Sequence, residues 1–326
     1  MTQQATDRPV FEIMRAYTMC AILSALEKLG VLDQLAEHGV VPAELGHEAF
    51  LGAATWRYLA ERDVVRADGE RYVLTEAGHD LYRERGYLLW LAGGYGDALN
   101  TLDTLLAKER KFGVDVDRDL RWVAVGSALI GAADLRTELM DILRSIEFRT
   151  IADIGCGNGH FLIDLCRVTG ADGVGYDISP ASCAEARQEV AGAGLVDRID
   201  VVEVDATDID NVPLLENVQL VIAFFFMHEV LEHGYDTLVE YLAGLCRRLP
   251  AGAHVLTAEI APPEQARNTS EYFSPEYVYT QALMAQHMMS GEDWGAAFTK
   301  AGFEVVRIVP GRLPGSRLVL VRKPLS

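Results

Sequence analysis

Three glycines at alternate positions behind an acidic residue, Asp153-Ile154-Gly155-Cys156-Gly157-Asn158-Gly159, are the residues of this 326-residue chain best suited to hold a ligand. Alternate glycines let a backbone swing from strand into helix and let a ligand approach where Cβ atoms would otherwise stand. A loop built for the pyrophosphate of a dinucleotide reads G-x-G-x-x-G, with its third glycine where helix and strand pack closely. Here His160 holds that place, and the third glycine comes one residue early. Asp153 closes the apolar run, where a carboxylate repels a pyrophosphate and attracts a cation. The expected ligand therefore carries an ammonium or a sulfonium.

S-adenosylmethionine carries both, and further acids follow. Val174-Gly175-Tyr176-Asp177 ends the next apolar stretch, with Asp177 about 20 residues past the glycines, the spacing at which a carboxylate reaches ribose hydroxyls. Val201-Val202-Glu203-Val204-Asp205-Ala206 closes a third. Three strands that each end on Asp around one glycine loop resemble the class I S-adenosylmethionine-dependent methyltransferases. That resemblance implies Asp153 and Gly155 near the amino acid end of the cofactor, with Gly157 also in its binding loop. It puts Asp177, with Ile178 beside it, on the ribose diol, Asp205 and Ala206 against the adenine, and Phe224 in the same site.

A base stands further along. His228 follows the apolar run Leu220 to Met227, at the carboxyl edge where open α/β sheets bind ligands. His228-Glu229-Val230-Leu231-Glu232-His233 is not a metalloprotease signature, because histidines five apart lie about 140° round a helix and cannot share an ion on one face. His233 reads as a solvated helix-end residue. His287, in Gln286-His287-Met288-Met289, is the second imidazole of interest. Two imidazoles entering one pocket from different segments suit Zn or Fe with open positions for substrate. The bland alternative makes His287 a core or interface residue, and Leu283, Met284 and Met288 pocket wall or core.

The elements that must position these groups fall into an α/β pattern. After Arg149, strands at 150–155, 172–177, 199–205, 218–226, 252–260, 303–309 and 316–322 alternate with helices, a Rossmann-like doubly wound sheet of seven strands. The turn around Pro310 and Gly315 makes the last two an antiparallel hairpin. Ahead of it, residues 11–26 are apolar at helical spacing, Pro42 opens a short helix, and 53–62 make a third. Val64-Val65-Arg66 and Tyr72-Val73-Leu74-Thr75 then flank Ala67-Asp68-Gly69-Glu70, an Asp-Gly hairpin signal. Helices followed by such a hairpin spell a winged helix. Residues 1–100 carry nine Lys and Arg against fifteen Asp and Glu, a net of −6. Such a surface neutralises phosphates poorly, so the expected role is dimerisation rather than DNA binding. The expected divisions are 1–100 for this domain, 101–145 for a helical linker over the substrate pocket, and 146–326 for the cofactor domain.

Bulk properties set the outer bounds. Half of the residues are apolar, enough for a sizeable core, and the net charge of −19 disfavours nucleic acid and anionic membranes as partners. Five scattered cysteines without a C-x-x-C fit a reducing cytoplasm. No basic and apolar leader precedes Phe11, and the longest unbroken apolar run is far too short to span a bilayer.

The acidic winged helix, the wing sequence Tyr72-Val73-Leu74-Thr75-Glu76-Ala77-Gly78 and the cofactor motifs together resemble the dimeric small-molecule O-methyltransferases over nearly the whole chain. In that family a His-Asp pair ends the fourth strand, and its His is the general base on a substrate hydroxyl. Phe226-Met227-His228-Glu229 stands there in this chain, so His228 matches and Glu229 departs from Asp. The family carboxylate that orients the His matches Glu259. A further family carboxylate before the last long helix has no clear counterpart, and His287 lies in that stretch. A related branch, the α-keto acid C-methyltransferases, carries a two-His metal centre on this scaffold.

Three functions remain open. One is metal-assisted C-methylation of an α-keto acid, with His228 and His287 as ligands to Zn or Fe and Arg118 or Arg121 receiving the carboxylate. The second is metal-free O-methylation of a phenol or polyketide, with His228 as base and Glu259 orienting it. The third is a cofactor-binding regulator, which the acidic charge disfavours. The first two imply a homodimer acting on a small molecule.

Overall fold

The computed structural model describes residues 8–261, 274–313 and 315–325, divided into two units at 133/134. The first opens with α1 (Pro9–Lys28), α2 (Val31–His38) and α3 (Ala49–Glu61), followed by the hairpin β1 (Val65–Asp68) and β2 (Arg71–Leu74). Pro9 starts α1 two residues before the expected boundary, as its fixed φ suits a first helical turn. Glu48 caps α3 by accepting hydrogen bonds from the backbone of Phe50 and Leu51, so that helix begins at 49 rather than 53. Pro42–Glu44 is a single 3₁₀ turn. Leu26, Leu35, Trp56, Leu59, Val64 and Leu74 form the core of this part.

Beyond the hairpin lie α4 (Glu76–Arg83), α5 (Arg85–Leu88), a π-helical stretch Leu89–Gly94, α6 (Gly96–Asn100), α7 (Leu102–Leu106) and α8 (Leu120–Asp134). The division at 133/134 falls within the expected linker over 101–145. Gly126 on α8 lets the chain close on Trp90, where an added Cβ would stand 2.7 Å from the Trp90 backbone nitrogen. Residues 101–133 therefore group with the first unit, and α9 (Arg136–Leu143), which buries Leu139, Ile142 and Leu143, groups with the second.

Helix α1 departs from expectation in a second way. By length and composition it could cross a bilayer. Unbroken apolar runs did not reveal this because Glu12 and Arg15 interrupt the stretch. Its Val10, Phe11, Ile13, Met14 and Tyr17 are exposed.

In the second unit the remaining elements are β3 (Thr150–Ile154), α10 (His160–Thr169), β4 (Asp172–Asp177), α11 (Pro180–Gly192), β5 (Ile199–Glu203), β6 (Leu220–Phe224), α12 (Met227–Leu231), α13 (Tyr235–Arg248), β7 (His254–Ile260), α14 (Ser274–Leu283), α15 (Gly291–Lys300), β8 (Glu304–Pro310) and β9 (Ser316–Arg322). The seven strands lie in the order β5-β4-β3-β6-β7-β9-β8. The first five in the chain run parallel, and β9 is antiparallel to both β7 and β8, the closing hairpin expected from sequence. Leu220 to Ala223 are buried completely, as a strand covered on both faces requires. Because β4 and β6 flank β3 on opposite sides, the loop after β3 opens at the point where strand order reverses, the ligand-binding crevice of such sheets.

Three strands stop short of their expected ends, β3 by the single residue Gly155. β5 ends at Glu203 rather than 205. β6 ends at Phe224 because Phe225 turns into the left-handed region (φ 54°), a conformation an aromatic residue rarely adopts. That turn breaks the ladder and sends the chain into α12 within two residues.

Gly159 supplies the corresponding turn into α10, with φ 77° and only 3.1 Å between its would-be Cβ and the Cβ of Ala186. Gly159→Ala is expected to destabilise the protein by about 1–2 kcal/mol, the cost of a left-handed alanine. Urea denaturation reads this directly, and an unchanged midpoint would contradict the loop conformation.

Candidate active site

The glycine loop is held by the strands beside it. Gly155, Gly157 and Gly159 all have positive φ. The backbone nitrogens of Gly155 and Cys156 both donate to the carbonyl of Tyr176, at 2.8 and 3.0 Å. Asp177 completes the hold: its two carboxylate oxygens accept from Gly157 N and Ser179 N, each at 2.9 Å. The residue expected to meet a ribose therefore also ties the glycine loop to the start of α11.

Asp153 lies beneath this loop, 4% exposed. Burial and the neighbouring charge of Asp177 push its carboxyl up to about 7. An acid so perturbed favours an approaching cation, which would compensate both causes at once. Asp205 is exposed and accepts from the backbone and hydroxyl of Thr207, at 3.0 and 2.6 Å, while Ala206 is buried. Ile178 is exposed, and Phe224 packs against Phe161 with ring centroids 5.3 Å apart. All of these residues belong to the second unit.

At the adjacent strand ends, Glu259 of β7 lies 3% exposed with both oxygens committed. One accepts from the backbone of Met227 at 2.9 Å and the other meets His228 Nδ1 at 2.9 Å. With the carboxylate as acceptor, Nδ1 carries the proton and Nε2 is the basic nitrogen. Nε2 stands 3.6 Å from Glu229 Oε1, and the other oxygen of Glu229 accepts from Gln286 Nε2 at 3.2 Å. The structure thus joins His228, Glu259, Glu229 and the segment after α14 in one polar chain.

A pocket at this point is lined by His228, Glu259, Ile260, Tyr277, Gln281, His287, Met288, Met289 and Trp294. His287 sits on the irregular segment between α14 and α15, solvent-exposed on one side and lining the same pocket as His228. Among the described residues no group of three or more His, Cys, Asp and Glu side chains comes together to hold an ion. His228 and His287 line this pocket from different segments, His228 with a buried carboxylate on its Nδ1.

Arg118 and Arg121 belong to the first unit, Arg118 reaching Tyr95 Oη at 3.5 Å and Arg121 lying 4.8 Å over the Trp122 ring. Sequence reasoning missed Gln281, Gln286 and Trp294. Gln286 carried a faint signal as the neighbour of His287, whereas the burial of Gln281 and Trp294 depends on tertiary packing.

Residues 151–251 match a protein family described as a methyltransferase domain. Over 287 residues the chain is 28% identical to the indolepyruvate C-methyltransferase of Streptomyces griseus, covering 85% of this chain and 83% of that protein. The SAH-bound structure of a methyltransferase of calicheamicin biosynthesis is similar at 25% identity, 96% coverage of both chains and a TM-score of 0.60. Human N-acetylserotonin methyltransferase in complex with SAM shares the fold at 16% identity, a TM-score of 0.69, and 98% and 99% coverage.

Asp153 gives the ligand-free protein a pH signature. A carboxyl raised from 3.8 to about 7 on folding keeps a proton that the unfolded chain has already lost. Its contribution to stability therefore falls as pH rises through that window and levels off above it. Asp153→Asn cannot ionise, so its melting temperature relative to wild type is expected to climb between pH 4 and 7. A constant offset across the window would rule out the raised value.

Proposed function

We propose that the chain is a class I S-adenosylmethionine-dependent methyltransferase of the small-molecule O-methyltransferase type, and that it methylates the β-carbon of an α-keto acid. The observation that carries this reading is His287 in the pocket of the His228–Glu259 pair, on the segment where O-methyltransferases of this type carry a carboxylate. The likeness to a C-methyltransferase named for indolepyruvate, over most of both chains, supports it. An arylpyruvate is the acceptor class we favour, since Ile260, Tyr277, Met288 and Met289 offer it an apolar wall.

A β C–H is far less acidic than a phenol, so the site must stabilise an enolate. His228 Nε2 and His287 would hold a Zn or Fe ion, which when bound supplies Lewis-acid stabilisation of the acceptor's oxygens. Glu259 fixes the imidazole of His228 from behind, keeping the proton on Nδ1 and Nε2 facing outward. Glu229, steadied by Gln286, is the proton acceptor for the β-carbon. The β-carbon then attacks the sulfonium methyl in line. A C–C bond forms, the C–S bond breaks with its electron pair passing to sulfur, and the keto group is restored. Alignment of these two centres is the chain's main contribution.

In this reading Asp153 meets the cationic amino acid end of the cofactor, and Asp177 the ribose. Asp177→Ala is expected to weaken S-adenosylmethionine binding by about 1.5–3 kcal/mol, the loss for hydrogen bonds to an ionised group. Unchanged affinity by calorimetry would remove Asp177 from the site.

The deciding experiment compares metal-loaded and chelator-stripped protein with phenylpyruvate and with a phenolic acceptor. Chelation, His228→Ala and His287→Ala are each expected to abolish transfer to the keto acid while cofactor binding survives. Full activity of metal-free protein on the phenol would instead establish O-methylation with His228 as base.

The exposed apolar side chains of α1 supply a surface for a second copy of the chain, the arrangement we propose for residues 1–100. Light scattering at micromolar concentration is expected to give twice the monomer mass, and Ile13→Glu with Met14→Glu to lower it. A monomeric wild type would refute this arrangement.

A further inference from the structure

Among the described residues, two polar atoms in the pocket have no hydrogen-bond partner. Trp294 is 1% exposed and its Nε1–H is buried without a hydrogen bond. Gln281 is 4% exposed and its Oε1 is likewise buried and unbonded. Both side chains line the pocket of His228 and Glu259. An unmade hydrogen bond of this kind costs stability, and apolar residues of similar shape would avoid it. The sequence nevertheless puts a donor and an acceptor there, on the different helices α15 and α14.

We propose that Trp294 and Gln281 form the polar subsite for the acceptor, positioning it for methyl transfer. The subsite takes a molecule that presents one hydrogen-bond acceptor and one donor. This deepens the keto-acid reading and rests on it for the identity of the two atoms. The acceptor atom is a carboxylate oxygen, which receives the indole N–H of Trp294. The donor is the enol hydroxyl, which gives its hydrogen bond to Gln281 Oε1. Enolisation moves one proton from the β-carbon to the keto oxygen, Glu229 taking it from carbon and handing it to oxygen. When the β-carbon attacks the methyl group and the C–S pair passes to sulfur, the C=O reforms and the hydroxyl proton is released to solvent. Gln281 therefore favours the tautomer that reacts, and Trp294 fixes the end of the molecule that does not. A site built around such bonds discriminates strongly against acceptors that cannot make them.

The test uses Gln281→Met, which keeps the chain volume while deleting the polar atoms, and Trp294→Phe, which deletes the N–H together with one ring of the indole and so is read through kcat/KM alone. If Gln281 Oε1 awaits a substrate, Gln281→Met leaves the melting temperature of ligand-free protein unchanged or raised. Both variants lower kcat/KM by about tenfold to a hundredfold, the loss expected for a hydrogen bond to a charged or reacting group. If instead the two groups serve the core by reaching one another, Gln281→Met lowers the melting temperature, and kcat/KM of both variants stays within about twofold once folded protein is counted; that result overturns the proposal.

The assay is run on whichever acceptor the wild type turns over. Inactivity of wild type toward every keto acid thus defeats the functional reading, and with it the assignment of the two substrate atoms, while the subsite itself is still tested on a phenol. Phenylpyruvate and indolepyruvate separate the last point. Equal losses in Gln281→Met support the enol hydroxyl as donor, because phenylpyruvate has no ring N–H. A loss with indolepyruvate alone overturns that assignment and gives the bond to the ring nitrogen.

Discussion

Glu259 is the point on which the site's geometry turns. It sits at the buried end of β7, and each of its oxygens is committed to the opening turn of α12, one to the backbone of Met227 and one to the ring of His228. A buried carboxylate is tolerable only when its charge is met by donors, and here the donors belong to the neighbouring strand's exit. The pairing therefore does two things at once. It anchors the sharp left-handed turn at Phe225, which would otherwise have little reason to persist in an aromatic residue. It also turns the other imidazole nitrogen, Nε2, toward Glu229 at 3.6 Å. Remove the carboxylate and the turn, the tautomer and the ring's direction lose their common support.

The cofactor loop obeys a different constraint. Asp153 and Asp177 end neighbouring parallel strands, with Asp153 paired in register with Gly175, so two carboxylates converge beneath backbone rather than beneath cationic side chains. Asp177 relieves its share by accepting from two loop amides, whereas Asp153 is left to burial and repulsion. The asymmetry is chemically useful. One acid organises the loop whether or not a ligand is present, and the other is held in a state that a cation improves.

What the sequence made legible follows from how local each feature is. The glycine spacing, the acids at strand ends and His228 beyond an apolar run are read from a few adjacent residues, since a parallel strand must be apolar and its ligand groups must come after it. Glu259 was legible for the same reason, although its bond to Met227 was not. The seven strands were likewise visible, with errors at 203–205 and 224–226 where a turn rather than composition ends the ladder. Features that depend on packing across distant segments were hidden. The perturbed Asp153 requires knowing that β3 and β4 are neighbours. Gln281 and Trp294 look like ordinary helix residues until both are found buried without partners. The division at 133/134 depends on Gly126 closing against Trp90, and a single helical glycine carries no such message.

These hidden features share a thermodynamic direction. A raised carboxyl at Asp153, an unbonded indole N–H, an unbonded amide oxygen and a left-handed phenylalanine all cost stability in the ligand-free chain, and all four lie in or beside the catalytic half of the sheet. Core residues such as Leu220 to Ala223 or Leu242 show no comparable conflict between side chain and surroundings. The costs fall on groups that a cationic cofactor or a polar acceptor is chemically able to relieve, Phe225 excepted, and Phe225 is held by the Glu259 network instead. Ligands that meet these groups bind the folded state alone, so each adds to its stability by mass action. Unbonded buried atoms such as His254 Nδ1 and Ser316 Oγ lie elsewhere in the unit as well, but at the site occupancy is what completes the hydrogen bonding and charge balance.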